Sequence, residues 1–323
     1  MDDFIVSITT YPKRMDYFKK SFSHLHSIDS FDRIRKIIIV LDDNLSESEY
    51  EEYSKFLNSF DDNRIETLIN DSKWRSANKL IPVYNKYGNE HNIICFDDDK
   101  FYPMECLTQI LEEHERNSDC IVSQEINPIF ISGDTTIGYI NNLDIKLKQK
   151  EYGKYLSNAC LFPKKCFGDG KLLNDYDKFK YVTNGNHDEL WFWIVSTLNG
   201  VRSIGLDNTM GYIMDSNVVF DDDDTALTNI NSSQTEVDGY NKRVSEVFGK
   251  ELISVIKNGC VEFNVNKGNY FGVLYSIQQI SYLYNGHKIL FSVDKKLPES
   301  FLRILICAMG RVRWTNEIYM NRV

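Results

Sequence analysis

Ile93-Ile94-Cys95-Phe96-Asp97-Asp98-Asp99-Lys100-Phe101-Tyr102-Pro103 changes character once, between Phe96 and Asp97. The residues before that point are mostly apolar and suit the interior of a sheet. Three adjacent carboxylates would repel one another there, so the strand must end where they begin and present them at the sheet's edge. Something cationic then offsets them. Oxygen-only ligands on a loop suit Mg2+ or Mn2+, which keep several waters and take the rest of their shell from a substrate's phosphates. A solvated acidic turn is the competing reading, and the surrounding chain has to separate the two.

Upstream, Phe4-Ile5-Val6-Ser7-Ile8-Thr9-Thr10 is rich in β-branched residues and stops at Tyr11-Pro12-Lys13-Arg14, where proline cannot continue a central ladder. Met15 to Ile28 carries apolar residues at helical spacing, and Ile34 to Leu41 is a second buried strand ending at Asp42-Asp43. Ser46 and Glu49 have the spacing of a capping box, and a helix continues through Tyr50 to Phe60. Ile65 to Ile69 is a third strand closed by Asn70-Asp71, and Ala77 to Tyr87 reads as a helix with Asn78 and Lys79 in its first turns. The run at Ile93 is the fourth strand. Alternation of this kind predicts an α/β fold, a mostly parallel sheet flanked by helices. Ligands of such sheets bind beyond the carboxyl ends of the strands, which places Thr9 to Arg14, Asp42-Asp43, Asp71 and Asp97 to Asp99 along one rim. No GxGxxG or GxxxxGK[ST] follows any of these strands, so neither a dinucleotide site nor a P-loop is supported.

Downstream, Glu105 to Arg116 reads as a helix and Cys120 to Ser123 as a strand, before an irregular stretch over residues 127 to 155. Leu156 to Pro163 looks like a strand entering a turn, and Asp169 to Thr183 like a polar loop able to fold over a ligand. The second acidic constellation is Asn186-His187-Asp188-Glu189-Leu190-Trp191-Phe192-Trp193-Ile194-Val195. Its apolar part is a buried helix, so His187, Asp188 and Glu189 stand at the helix N-terminus, where the dipole favours carboxylates. The functional alternative is a general base aimed from a rigid helix start. An Asp at the N-cap accepts backbone N–H bonds that make it a weaker base, which favours Glu189 as the base and Asp188 as its orienting partner. Val201 to Leu206 reads as a strand, the four-Asp run at Asp221 to Asp224 as a solvated loop, and Val237 to Phe248 as a helix. Beyond residue 248 an accessory region, mostly helical, is expected, with strands at Val261 to Val265 and Lys288 to Val293 and a helix at Phe271 to Leu283. Its last apolar segment, Phe301 to Trp314, is read as a core helix, with a membrane-surface helix as the sharper alternative because of its basic flanks and Trp.

At 323 residues the chain has room for one large domain with an appendage, or for two. A net charge of −10 argues against non-specific nucleic-acid binding. Seven Cys without a CxxC pair or zinc spacing read as reduced thiols of a cytosolic protein, and no disulfide framework is implied. Met-Asp-Asp leads straight into a strand, without a signal-type apolar segment, and the expectation is a soluble or peripheral protein.

The order of Ser7-Ile8-Thr9-Thr10-Tyr11-Pro12-Lys13-Arg14, Asn78-Lys79-Leu80-Ile81-Pro82, Phe96 to Pro103 and Asp188-Glu189-Leu190-Trp191 resembles bacterial GT-A glycosyltransferases of capsule and other surface-polysaccharide loci. Thr225-Ala226-Leu227-Thr228-Asn229-Ile230-Asn231 also looks like a late segment of that family, and the resemblance covers about residues 4 to 248. It implies a GT-A domain over residues 1–248, with a nucleotide-sugar half to about 103 and an acceptor half from 104, followed by the accessory region. It further implies a nucleoside-diphosphate donor, UDP-linked by expectation, beside Thr9, Tyr11 and Arg14, with Asp42 or Asp43 at its base or ribose and Lys79 near its ribose or phosphates. In the DxD role it implies, Asp97 and Asp98 are donor-binding, Asp97 contacting the ribose or the metal's water shell, and Asp99 ligates the Mn2+ or Mg2+ that stabilises the leaving diphosphate. Asp188-Glu189 matches the acidic pair in which inverting members keep their base, although that pair more often ends in Asp. Asn158, His187 and Trp191 are the expected contacts of a glycan or lipid-linked saccharide acceptor. Residues 200 to 286 hold no His to complete a metal shell, leaving Asp207, Asp215 or water. The resulting expectation is a metal-dependent inverting hexosyltransferase of the cytoplasm, with the C-terminal region offering contact to the inner membrane face. Its rivals are a retaining transferase on the same fold, a sugar-1-phosphate nucleotidyltransferase, whose Gly-rich loop is missing here, and a non-catalytic nucleotide- or carbohydrate-binding module.

Overall fold

Residue type and burial agree along Phe4–Thr10, Ile34–Asp42 and Asn92–Phe96. The computed structural model describes residues 4–124, 126–127, 129–139, 151–206, 234–274, 277, 288–312 and 317–322. Its strands are β1 (Phe4–Thr10), β2 (Ile34–Asp42), β3 (Ile65–Asn70), β4 (Asn92–Phe96), β5 (Ile121–Ser123), β6 (Ile126–Asn127), β7 (Ile129–Ser132), β8 (Thr136–Tyr139), β9 (Lys154–Tyr155), β10 (Cys160–Phe162), β11 (Ser203–Gly205), β12 (Cys260–Val265), β13 (Lys288–Val293) and β14 (Glu317–Arg322). The helices are α1 (Met15–Leu25), α2 (Glu47–Asn58), α3 (Ile81–Tyr87), α4 (Cys106–Arg116), α5 (Tyr176–Thr183), α6 (Asp188–Leu198), α7 (Gln234–Lys257) and α8 (Glu299–Val312).

Seven strands form the main sheet in the order β11-β5-β10-β4-β1-β2-β3, parallel except for β10, which runs antiparallel to both its neighbours. The fold is thus α/β with a mostly parallel sheet covered by helices, compatible with a Rossmann-like arrangement. Side chains of β1 divide between the two faces as the strand period requires. Ile5 joins the layer of α3, α5 and α6, while Phe4, Val6 and Ile8 join that of α1, α2 and α4. On the second layer, Phe18 and Phe22 of α1 and Leu107 and Ile110 of α4 are buried. The predicted capping box is present at Ser46 and Glu49.

Four sequence expectations change. The helix read from Ala77 is a run of 3-10 turns over Ser72–Lys79, and α3 starts only at Ile81. Pro82 sits in the first turn of α3, where its missing N–H leaves no hydrogen bond unmade. The polar stretch from Asp169 to Thr183 is not an open loop: Asp175 caps α5 through the Lys178 N–H, and Phe179 and Val182 are buried. Of the strand read from Leu156, only Cys160–Phe162 pairs, because the chain turns at Ala159 with φ 45°.

The fourth change concerns the C-terminal region, whose described residues divide between helices and a parallel sheet. β12, β13 and β14 are parallel neighbours and extend through β7 and β8 into one five-stranded sheet. Helix α7 runs through the boundary drawn at residue 248. Gly249 lets that helix lie against the turn before β8, since a Cβ there would meet the Thr135 carbonyl oxygen at 1.8 Å. Helix α8 packs Leu302, Leu305 and Met309 against Ile289, Phe291 and Val293, so the last apolar segment is a core helix in its described part. Among the described residues no helix is long and apolar enough to cross a membrane. The four-Asp run at 221, Thr225 to Asn231, Asp207 and Asp215 lie outside the described residues.

Candidate functional site

Four chain segments meet at the carboxyl edge of the main sheet: the end of β1, the 3-10 turns after β3, the end of β4 and the start of α6. The turn at Pro12–Arg14 follows β1 and carries Arg14 toward the carboxylate run, where Nη1 donates to Asp98 Oδ1 at 2.9 Å and to Asp99 Oδ2 at 2.6 Å. Lys79 closes the 3-10 segment. Its carbonyl accepts from the Ser7 hydroxyl, which ties it to β1. Its ammonium group donates to Asp97 Oδ1 at 2.7 Å and reaches Asp188 Oδ2 at 3.2 Å. Lys100 holds the other oxygen of Asp97 at 2.9 Å.

Across from this wall, the Ser157 hydroxyl donates to Asp188 Oδ2 at 3.1 Å and the Ser157 N–H to Glu189 Oε1 at 3.3 Å. Lys154 donates to Glu189 Oε2 at 3.1 Å. Register explains why these residues arrive here: Cys160 of β10 pairs antiparallel with Cys95 of β4, so the chain just before β10 runs beside the chain just after β4. Asn158, in that segment, is buried with an Oδ1 that has no hydrogen-bond partner among the described residues.

Burial and neighbouring charge set the protonation of the cluster. Burial works against the charge on Lys79, but Asp188 and Asp97 outweigh it and hold its pKa well above the ordinary lysine value. Burial likewise opposes ionisation of Asp97, and Lys100 and Lys79 overcome it, so Asp97 stays charged. Asp98 is pushed up by burial and by Asp99, against the pull of Arg14. Asp99 is pushed up by burial and by Asp97. Arg14 itself is held above its usual range because the two aspartates outweigh its desolvation.

The cation-binding expectation meets a specific geometry. Among the described residues no group of three or more His, Cys, Asp or Glu is arranged to hold a metal ion. Both oxygens of Asp97 are committed to lysines, whereas Asp99 keeps a buried Oδ1 with no hydrogen-bond partner among the described residues. One open carboxylate oxygen fits a cation of the Mg2+ or Mn2+ type, whose shell is otherwise phosphate and water.

The remaining predicted residues divide. Asp42 accepts from Asn78 Nδ2 at 3.1 Å, and burial, reinforced by Asp43 and Asp71, raises its pKa despite that bond. Asp43 accepts from the Ser72 N–H at 3.0 Å. Both therefore stand on the rim beside the Lys79 segment. Tyr11 lies under the Arg14 guanidinium at 5.7 Å, and Thr9 bonds back to the Val40 carbonyl at 3.1 Å within the sheet. Trp191 is wholly buried and its indole N–H donates to the Leu173 carbonyl at 3.0 Å, which makes it a core residue rather than an acceptor contact. His187 is buried beneath the site, with Nε2 3.0 Å from the Tyr139 hydroxyl. It also occupies the N-cap of α6, so Asp188 is the first helical residue and not the cap expected for it. The argument that weakened Asp188 as a base through capping bonds accordingly falls away.

Sequence reasoning left Lys100, Lys154, Ser157 and Tyr139 without a role. Lys100 adjoins the carboxylate run and had that signal. Lys154 had none, because nothing in Gly153-Lys154-Tyr155 announces a buried ammonium. Arg75 is a further unforeseen feature: its backbone takes φ 49° and ψ −127°, and its side chain bonds to Asn186 in the loop before α6. The chain matches no family model and no curated protein.

Proposed function

We propose that this chain is a divalent-cation-assisted glycosyltransferase that moves a hexose-type sugar from a nucleoside-diphosphate donor, UDP-linked, to a saccharide or lipid-linked saccharide acceptor of surface-polysaccharide synthesis. The GT-A form of the fold and a cytoplasmic site of action, in contact with the membrane face, belong to the same proposal. One observation carries the reading. The two acidic segments singled out in the sequence, Asp97 to Asp99 and Asp188-Glu189, face one another across a single ammonium group, that of Lys79.

The chemistry asks for this arrangement. The donor's C1–O bond breaks as the acceptor's O–C1 bond forms, and the departing diphosphate takes the electron pair. A Mg2+ or Mn2+ ion held at Asp99 Oδ1 supplies Lewis-acid stabilisation of that charge when bound. Arg14, Lys79 and Lys100 surround the same place with fixed positive charge and add electrostatic stabilisation. The acceptor hydroxyl must lose a proton as it attacks. Glu189, whose side chain keeps 23% of its exposure, is the carboxylate that receives it, and attack from that side inverts the anomeric centre. Asp188, with 8% side-chain exposure and bonds to Lys79 and Ser157, links the two walls. Asn158, beside this pair, has a buried amide oxygen without a hydrogen-bond partner among the described residues, which a sugar hydroxyl reaching that depth would satisfy.

The test is release of UDP from a panel of UDP-sugars in the presence of Mn2+, followed by the anomeric configuration of the product. Turnover with inversion supports the reading. Turnover with retention removes the base role of Glu189, and tight UDP binding without turnover of any donor points to a binding module instead.

A further inference from the structure

We infer that Lys154 is a positioning residue for Glu189: its buried ammonium group fixes the carboxylate that takes the acceptor's proton. This rests on the transferase reading above and deepens it. The Lys154 side chain is 3% exposed, and lysine is rarely buried so fully unless paired. Among the described residues its carboxylate partner is Glu189, at 3.1 Å. Its ammonium group also lies 4.8 Å from the centre of the Tyr139 ring, a cation–π arrangement that adds a second contact holding it in place. With Lys154 on Oε2 and the Ser157 N–H on Oε1, both oxygens of Glu189 are held from the protein side while part of the side chain remains exposed.

The elements that carry the pair are fastened on both sides of it. Strand β9 lies so close to β6 that a Cβ on Gly153 would meet Ile126 Cγ2 at 2.3 Å, and the Ser203 hydroxyl donates to the Gly153 carbonyl at 2.9 Å. Trp193 of α6 donates its indole N–H to the Tyr152 carbonyl at 2.7 Å, and Ser196 of α6 shares a 3.1 Å hydrogen bond with the Tyr155 hydroxyl. The strand segment bearing Lys154 and the helix bearing Glu189 are thus bonded to each other one residue after the lysine and two residues before it. Tyr139 is fixed in turn, since its backbone N–H and carbonyl both bond to the Asn241 side chain. Proton transfer at one geometry requires a carboxylate kept to within about 0.5 Å of its productive position, and this frame restrains Glu189 through both of its oxygens.

The test compares wild type, Lys154→Met, Lys154→Arg, Glu189→Gln and the Lys154→Met/Glu189→Gln double variant. Each is assayed for UDP release from UDP-glucose, UDP-galactose and UDP-N-acetylglucosamine in Mn2+, with water as acceptor, and for UDP affinity by calorimetry. Lys154→Met is expected to lower kcat by about tenfold or more while UDP affinity and donor KM stay within about twofold, because the lysine acts on the transition state through Glu189. Lys154→Arg restores most of the rate, and in the Glu189→Gln background Lys154→Met changes kcat no further. Retained kcat in Lys154→Met overturns the assignment, as does an equal proportional loss in both backgrounds or a loss matched by weaker UDP binding. If Lys154→Met does not fold, Lys154→Gln enters the same comparisons. Wild type that releases no UDP from any donor overturns the functional reading and this inference together, whereas wild-type turnover that ignores Lys154 overturns this inference alone.

Discussion

Asp97, at the far side of the end of β4, and Asp188, the first residue of α6, accept from the same Lys79 ammonium group at 2.7 and 3.2 Å. The ends of a parallel strand and of a helix far along the chain are thereby locked together through one buried cation. Removing that cation leaves two carboxylates facing each other with little water. Lys79→Met is expected to destabilise the protein by about 3–5 kcal/mol, the usual consequence of breaking a buried ion pair from one side. Denaturant titration measures it, and Asp188→Asn added to Lys79→Met should recover part of the loss.

His187 is kept neutral, its pKa lowered well below the ordinary imidazole value chiefly by burial and further by Lys154, against the opposing pull of Asp188. In the unfolded chain it binds a proton below about pH 6.5. The unfolded state therefore holds more protons across that window, and stability falls as pH drops from about 6.5 toward the folded-state pKa. Replacing His187 by Phe should flatten the acid side of the stability profile by up to about 1.4 kcal/mol per pH unit, even if the variant is less stable at neutral pH. Melting temperatures of wild type and variant between pH 5 and 8, on the order of one point per half unit, show whether the slopes differ.

Trp191 is a support, not a binding residue. Trp191→Phe removes one ring of a wholly buried indole and forfeits the hydrogen bond to Leu173, at a combined cost of about 1–3 kcal/mol in stability. UDP affinity should be unchanged within about twofold, and a large loss of affinity at unaltered stability would return Trp191 to the site.

Gly249→Ala tests the packing of α7 on the turn before β8. Alanine is the better helix former, yet its Cβ has no room against the Thr135 backbone. Overpacking should dominate and lower stability by about 1–3 kcal/mol in chemical denaturation. A stabilised variant would show that the turn yields freely.

The alternating half of the fold was legible because β1, β2 and β4 are largely covered on both faces and so read as predominantly apolar, β-branched runs. The placing of Asp97 at a strand end and of Asp188 at a helix start followed from the same patterns. Other features depend on tertiary contacts that no local pattern encodes. Helix α5 hides in a polar stretch because only Phe179, Val182 and Thr183 turn inward. β14, Glu-Ile-Tyr-Met-Asn-Arg, is polar at both ends and is recognisable as a strand only beside β13. Lys154 acquires its position from the antiparallel pairing of β9 with β6, and Asn158 from the return of β10 along β4, both set by tertiary register. The cap of α6 was misplaced by one residue, the ordinary uncertainty of a helix end, and that shift removed the basis for ranking Glu189 over Asp188 by capping alone.

The central claim is that the carboxylate run after β4 serves a cation-assisted transfer, with Asp99 as the residue that holds the cation. UDP release from UDP-sugars in Mn2+, measured on wild type and on Asp99→Asn, tests it most directly. The account predicts turnover by wild type with at least one donor, and a loss of about a hundredfold or more in Asp99→Asn with the fold intact. Full turnover by Asp99→Asn, or no UDP release by wild type from any donor, contradicts it.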